Sequence, residues 1–348
     1  MERIKTALCS FGMSGWVFHA PFLHLHSGFE LYAVWERTKN LASAKYPGIK
    51  TYRSIKELLN DAAIELVIVN TPNFTHYEYA KLALLAGKHV VVEKPFTLTT
   101  EQADDLITFA QKQDRKISVY QNRRWDSDFQ TVQKIVNEGL LGNIVEAEIH
   151  YDRFSEALSP KLHKEIPGPG TGILYDLGSH LVDQCIQLFG MPEAVFCDVF
   201  IARPISKVED YMEVLLFYKS SRVRLKGSYQ VRESLPAFIL HGSKGSFIKS
   251  RADTQEARLL KGESPDATDW GIEPETARGL LHTEVNGKII RENINSERGN
   301  YMAYYEQLYK ALREGEPLPV TAEEGRKVIH VIERAYQSLS KKKIVTLK

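Results

Sequence analysis

Cysteine is scarce in this chain, and what there is does not pair. Cys9, Cys185 and Cys197 are the only three in 348 residues. They stand far apart, make no C-x-x-C pair and are odd in number, which argues against a disulfide framework and fits a reducing compartment. An excess of either charge is missing too: 45 Lys and Arg against 44 Asp and Glu leave a net +1. That balance gives no reason to expect a nucleic acid or an acidic membrane surface as partner. No run comes near the ~18 apolar residues that a membrane span needs. The opening Met1-Glu2-Arg3-Ile4-Lys5 leads into no signal-peptide core, and repeats and low-complexity tracts do not occur. The expectation is a soluble, cytoplasmic protein.

Core material is plentiful. With 43% hydrophobic and 26% charged residues, the chain can fill two or three domains. Its organising stretch is His89-Val90-Val91-Val92-Glu93-Lys94-Pro95. An apolar, β-branched run without polar alternation reads as a parallel strand buried on both faces. Its carboxyl end, where ligands of open α/β sheets sit, delivers Glu93 and Lys94, and Pro95 restricts the backbone of the lysine before it.

The same logic orders the first third. A strand from Ile4 to Cys9 runs into Ser10-Phe11-Gly12-Met13-Ser14-Gly15 and then a helical pattern through His19 to Leu25. Strand, glycine turn and helix give the context of a dinucleotide fingerprint, although Ser10 occupies the place of the first glycine. Gly12 would let the backbone approach a pyrophosphate, Gly15 would let helix and strand pack closely, and the helix N-terminus would supply N–H groups to the phosphates. A second strand, Phe29 to Trp35, ends at Glu36-Arg37-Thr38. Glu36 is placed to accept from an adenosine ribose, whereas Arg37 could pair with a 2′-phosphate. NAD and NADP both stay open. Strands Glu65 to Asn70 and Ile117 to Tyr120 follow the same pattern, with helices to Leu85 and over Thr100 to Gln113. Thr75 reads as an N-cap completed by Glu78, and Thr100 as the cap of the next helix. Strands alternating with helices predict a doubly wound parallel sheet.

After Gln121 the pattern changes. A helix over Ser127 to Glu138, closed by Gly139, precedes a strand from Ile144 to Tyr151 and a Pro- and Gly-rich loop from Ser155 to Gly172. A helix from Asp176 to Leu188 is followed by strand-like segments over 194–202, 211–218, 223–229, 238–241 and 246–249. With no helices between them, these predict an antiparallel sheet. Residues 252–285, with Asp269-Trp270-Gly271, read as an irregular polar loop of functional length. Helices over 300–314 and 321–340 and a strand from Ile344 to Leu347 close the chain.

A second chemical cluster lies in Tyr175-Asp176-Leu177-Gly178-Ser179-His180-Leu181-Val182-Asp183. On a helix, His180 has Asp176 one turn before it and Asp183 one turn after it. A carboxylate beside an imidazole orients the ring and makes it a better base. Gly178 leaves room for a ligand to come close. No other His or Cys has supporting spacing, so no metal site is expected.

These stretches together resemble the Gfo/Idh/MocA oxidoreductases, the family of glucose–fructose oxidoreductase and the inositol dehydrogenases. The resemblance covers the whole chain. It rests on Ser10 to Gly15 with Phe18-His19, Thr71-Pro72 with His76, Glu93-Lys94-Pro95, Ser118 to Asp126, and Leu174 to His180. The likeness is strongest to the scyllo-inositol dehydrogenases that use NADP, although those carry a small residue where Glu36 stands. It implies a Rossmann domain over 1–121 that binds NAD or NADP. It also implies an α/β domain over 122–348 that binds substrate and forms a homodimer or homotetramer through a large open, mainly antiparallel sheet. Lys94, Asp176 and His180 are then catalytic, with either Lys94 or His180 as the proton acceptor. Cofactor contacts fall to Gly12, Met13, Ser14, Gly15, Glu36, Arg37, Thr38, Asn70, Thr71, Pro72, Asn73, His76, Glu93, Lys94 and Asn122. Substrate contacts fall to Arg124, Trp125, Asp126, Tyr151, Asp176 and His180. The implied reaction is hydride transfer between a secondary alcohol of a cyclic polyol or sugar and nicotinamide. A non-catalytic NAD(P)-binding regulator and an NAD-dependent glycoside hydrolase of the same fold are the alternatives. A cis Lys94–Pro95 bond is also implied.

Overall fold

The computed structural model describes residues 2–161 and 164–348. Of the loop expected over 155–172, residues 162 and 163 lie outside the described residues. The chain forms two compact units. The first takes the chain up to Asn122 and adds Thr254–Trp270 and Asn300–Arg326; the second holds Arg123–Asp253, Gly271–Gly299 and Lys327–Lys348.

The first unit is built on six parallel strands, β1 (Ile4–Leu8), β2 (Phe29–Trp35), β3 (Lys50–Tyr52), β4 (Leu66–Val69), β5 (His89–Glu93) and β6 (Ile117–Tyr120), in the order β3-β2-β1-β4-β5-β6. This is the doubly wound order with its switch point between β1 and β4. The apolar runs read as buried strands are that: Leu66, Val67, Ile68 and Val69 are 0% exposed, as are Val91 and Val92. Register places Val92 beside Val69 and Glu93 beside Tyr120, so Glu93 is the last paired residue of β5. Two capping expectations need correction. Thr99, not Thr100, caps the helix Thr100–Lys112, its hydroxyl accepting from the Gln102 N–H. Thr75 makes no cap to the helix His76–Leu85; its hydroxyl donates back to the Pro72 carbonyl at 2.6 Å. The short β3 and the helices Leu41–Lys45 and Ile55–Asn60 complete this part.

The late segments pack into this unit by specific contacts. The Tyr304 hydroxyl lies 2.9 Å from Ser118 Oγ of β6, and Arg313 holds Glu65 through Nη2 at 2.9 and 3.0 Å. Tyr309 lies so close to Gly28 that a Cβ there would meet its ring at 2.4 Å. Trp270, expected in an irregular loop, is 3% exposed and donates to Gln255 Oε1, which also accepts from the Tyr301 N–H.

The second unit carries nine strands: β7 (Ile144–Asp152), β8 (Ala194–Phe200), β9 (Tyr211–Phe217), β10 (Arg222–Ser228), β11 (Phe238–Gly242), β12 (Gly245–Lys249), β13 (Gly279–Val285), β14 (Lys288–Ile294) and β15 (Val345–Thr346), ordered β14-β13-β12-β11-β7-β10-β9-β8-β15. Among the described residues only β7 and β10 pair in parallel; every other neighbour is antiparallel. Residues 252–285 are therefore not one irregular loop. They include the helix Gln255–Leu260 and β13, which turns into β14 through Asn286 and Gly287 at φ 52° and 76°. Alternation splits the sheet: Ile149, Val214 and Leu225 enter a core with Leu181, Val182, Val331 and Ile332 from the helices. Glu148, His150, Glu213 and Arg224 occupy the other face.

Candidate active site

In the first unit the site begins at the turn after β1. Ser10, the departure from the glycine pattern, has a use. Its N–H donates to Asn70 Oδ1 (2.9 Å), its Oγ donates to the Asn70 carbonyl (2.8 Å), and its carbonyl accepts from Asn70 Nδ2 (2.9 Å). Asn70, at the end of β4, is thus a latch across the switch point. Gly15 sits against this latch, and a Cβ there would fall 2.5 Å from the Ser10 carbonyl. A Cβ at Gly12 would meet nothing within 4 Å, which leaves its backbone open to approach. The helix begins beside Met13 and Ser14 and runs through a π-helical turn, Gly15–His19, before Ala20–Leu25. Such turns recur at functional sites. A glycine cradle and a helix N-terminus at the switch point fit a dinucleotide's phosphates.

At the end of β2, Glu36 is 7% exposed and its two oxygens accept from the N–H groups of Leu41 (3.0 Å) and Ala42 (3.1 Å). The carboxylate expected to face a ribose instead holds the first turn of the helix Leu41–Lys45. Arg53 stiffens the same loop by donating to the Glu36 and Lys39 carbonyls and to Asn40 Oδ1. Arg37 and Thr38 are exposed.

At the ends of β4 and β5 the structure brings Ser14, Thr71, His76, Glu93 and Lys94 together. Glu93 Oε1 accepts from Ser14 Oγ and lies 3.1 Å from His19 Nε2, while Oε2 accepts from the Lys94 N–H at 3.1 Å. Burial pushes the Glu93 carboxyl up, but the bonds and charge from His19, Ser14 and Lys94 outweigh it and bring its pKa down to about 2. His19 is 0% exposed, and its Nδ1 lies 2.8 Å from Tyr305 Oη; Tyr305 and Tyr120 both donate to the Phe18 carbonyl. His76 is 1% exposed, with Nδ1 2.8 Å from the Pro95 carbonyl and Nε2 3.0 Å from the Thr71 carbonyl. The Lys94–Pro95 bond is cis. Pro72 and Asn73 lead into the short turn Asn73–Thr75, and Asn122, 5% exposed, begins the turn Asn122–Trp125.

In the second unit the helix that carries His180 starts at Ile173, three residues earlier than expected, and passes through a π-helical turn, Leu174–Gly178. His180 is 5% exposed. Asp176 Oδ2 receives Lys164 Nζ at 2.7 Å. Both oxygens of Asp183 receive the buried Arg124, from Nε at 2.9 Å and Nη2 at 2.7 Å, a bidentate pair. Gly178 does not make room for a ligand: a Cβ there would meet Leu174 Cδ1 at 2.8 Å and Met212 Sδ at 3.0 Å, so its space serves packing. Asp126 is 0% exposed and receives Arg123 Nη1 at 3.4 Å, while Trp125 is half-buried. Tyr151 points to the core side of β7, its ring 4.4 Å from the Arg251 guanidinium and 4.9 Å from that of Arg153. Among the described residues no cluster of His, Cys, Asp and Glu could hold a metal ion.

Sequence reasoning assigned no role to His19, Tyr305, Arg53 or Lys164. His19 was within reach, four residues beyond Gly15 and so one helical turn along the same helix. Tyr305 and Lys164 lie far from their partners in sequence and had no local signal.

A parallel sheet in this order, with a glycine cradle at its switch point and a lysine at the end of β5, defines a dinucleotide-dependent oxidoreductase. Residues 4–121 match the oxidoreductase family's NAD-binding Rossmann fold and residues 133–347 its C-terminal alpha/beta domain. The chain belongs to the Gfo/Idh/MocA family and is an NAD(P)-dependent enzyme acting on CH–OH groups. It is 38% identical over 347 residues to the scyllo-inositol 2-dehydrogenase (NADP(+)) IolW of Bacillus subtilis (strain 168), covering 100% of this chain and 97% of that protein. A crystal structure from Bacteroides fragilis is 49% identical with a TM-score of 0.90, over 99% of this chain and 100% of its own. An oxidoreductase from Bacillus cereus is 33% identical with a TM-score of 0.91, over 99% of both chains. Among the described residues no helix is long and apolar enough to cross a membrane.

Proposed function

We propose that this enzyme transfers hydride reversibly between a secondary alcohol of a cyclic polyol, of the inositol class, and the nicotinamide of NADP. The observation that carries the reading is the Glu93-Lys94-Pro95 strand end, held on three sides, in a chain alignable over its whole length with a scyllo-inositol 2-dehydrogenase. When bound, the nicotinamide supplies the hydride acceptor. The protein's part is the proton. His180 takes it from the alcohol, with Asp176 as the carboxylate that favours the charged ring. Lys94 donates to the same oxygen and stabilises the negative charge that grows there. Arg124, fixed by Asp183, and Trp125, Asp126 and Tyr151 serve the polyol's hydroxyls. The first unit holds the cofactor and the second the substrate.

The preference for NADP rests on Glu36. A carboxylate that faces a ribose repels a 2′-phosphate; one that accepts from two backbone N–H groups at a helix start is turned away and partly neutralised. The exposed Arg37 and Thr38 are left to receive the phosphate. The open face of the second unit's sheet, with Phe196 39% and Phe200 48% exposed at one side, is assigned to a homodimer or homotetramer in the cytoplasm.

The test is a panel of inositols, glucose and xylose with NAD and NADP, followed at the reduced-nicotinamide absorption band. Turnover with an inositol and tighter binding of NADPH than NADH, lost in Arg37→Ala, supports the reading. Turnover only with glucose or xylose, or none, rejects the substrate class; tighter NADH binding rejects the cofactor choice.

A further inference from the structure

We infer that His76 and His19 are positioning residues that hold Lys94 from both sides, one through the residue after it and one through the residue before it. The inference rests on the assignment of Lys94 to the chemistry, and it concerns how the protein aims that lysine.

A lysine has a long, flexible stem, and its ammonium is only as well placed as its backbone. At the end of β5 that backbone leaves the sheet. Glu93 still pairs with β6, but among the described residues the segment after it joins no strand. The structure supplies two substitutes. On the far side of Lys94, His76 Nδ1 lies 2.8 Å from the Pro95 carbonyl while Nε2 lies 3.0 Å from the Thr71 carbonyl. The ring therefore spans from the end of β4 to the segment after β5. On the near side, His19 reaches Glu93 Oε1, and Glu93 Oε2 in turn accepts from the Lys94 N–H. His19 is itself held by Tyr305, which donates to the Phe18 carbonyl. Lys94 thus sits between two residues that are each tied to a buried imidazole.

The placement of the two rings favours this role over a direct one. Both are essentially buried, His19 at 0% and His76 at 1% exposure. At His76 both facing atoms are carbonyl oxygens, which only accept; a neutral ring has one N–H and donates to one of them, while its other nitrogen lies against the second, so neither nitrogen is turned to a ligand. Burial pushes its pKa down, against the pull of the backbone bonds and of Glu93. A plain core position would be filled better by Leu or Phe, which carry no polar atoms to satisfy. The polar ring is accounted for by its place between the two carbonyls, one of which accepts its N–H.

Three variants test this, read by kcat, the Kd for NADPH, the thermal midpoint and hydrogen–deuterium exchange. Misplacing a reacting group by about 1 Å can cost ~10²-fold in rate, so His76→Phe should lower kcat by about tenfold to 10²-fold. The Kd for NADPH should stay within about threefold of the parent. His76→Gln, which restores one donor, should regain part of the loss, and His19→Gln, which can still donate to Glu93, should lose less than His76→Phe. Hydrogen–deuterium exchange of a peptide covering Glu93 to Leu98, with NADPH bound, should be faster in His76→Phe than in the parent. A parent-like kcat in folded His76→Phe would overturn the inference. So would a kcat loss that merely follows cofactor affinity and thermal midpoint downward, with no recovery in His76→Gln. The exchange arm needs no substrate. If the parent turns over no polyol, the functional reading falls, and unchanged exchange in His76→Phe would separately sink the clamp.

Discussion

Glu93 of the first unit and Asp176 of the second are held in opposite ways. In the first, Glu93 is largely enclosed and held by a hydroxyl, an imidazole and a backbone N–H, and its pKa falls to about 2. In the second, Asp176 is met by Lys164, and the two side chains are 25% and 36% exposed. A buried carboxylate with several fixed donors cannot follow changes around it, whereas an ion pair open to water can part and re-form. The end of β5 is thus fixed by several donors, whereas Asp176 stands in a pair open to water. On the proposed roles, that contrast suits a reaction in which the lysine is aimed while the base gains and loses a proton.

The comparison can be broken most sharply at Arg124. This guanidinium and Asp183 form a buried pair in the second unit, 9% and 3% exposed. Arg124→Met leaves Asp183 enclosed without its bidentate partner, a change that typically costs about 3–5 kcal/mol. Urea unfolding should show a loss of that order, and a loss below about 1 kcal/mol would place the pair among surface bridges. The next effect is read in acid. A carboxyl lowered from 4.5 to about 2 contributes stability that is fully present above its ordinary pKa and is lost as pH falls toward 2. Glu93→Gln should therefore flatten the parent's stability loss over that window, as followed by thermal midpoint against pH.

The second unit carries the opposite sign. His150 lies 2.9 Å from Glu148 and 3.2 Å from Asp152 on the open face of β7. Burial lowers its pKa, but the two carboxylates outweigh that and raise it above 6.5. Its contribution is fully present below its ordinary pKa and disappears as pH rises through the raised value. His150→Gln should remove this alkaline-side loss, with a smaller amplitude than the Glu93 effect because its pKa is displaced less. The smallest effect belongs to Lys164→Met. A half-open pair contributes about 1 kcal/mol or less to stability, so the unfolding midpoint should hardly move while any change appears in kcat.

Much of the first unit was legible because buried parallel strands leave an unambiguous record. Val90 to Val92 and Leu66 to Val69 are continuous apolar runs that only a sheet covered on both faces accepts. β3 has three residues, too few for any periodicity to show. β14 failed for another reason. Its burial pattern contains no fully buried residue, so it shows neither an apolar run nor alternation, and the Asn286-Gly287 turn was its one signal. The helix Met302–Arg313 was legible as a helix, yet its apolar face does not say which sheet receives it, and it joins the first unit. Within the site, Gly15 was readable because its lack of a side chain is the requirement. Glu36 was not, because its direction is decided by the N–H groups of Leu41 and Ala42, which compete for the same oxygens.

Steady-state turnover of Lys94→Met and His180→Ala, beside the Kd of each for NADPH, tests the account most directly. It predicts that both variants bind the cofactor within about threefold of the parent and lose ~10²–10⁴-fold in kcat on the polyol that serves the parent best. Turnover close to that of the parent in either variant would contradict it.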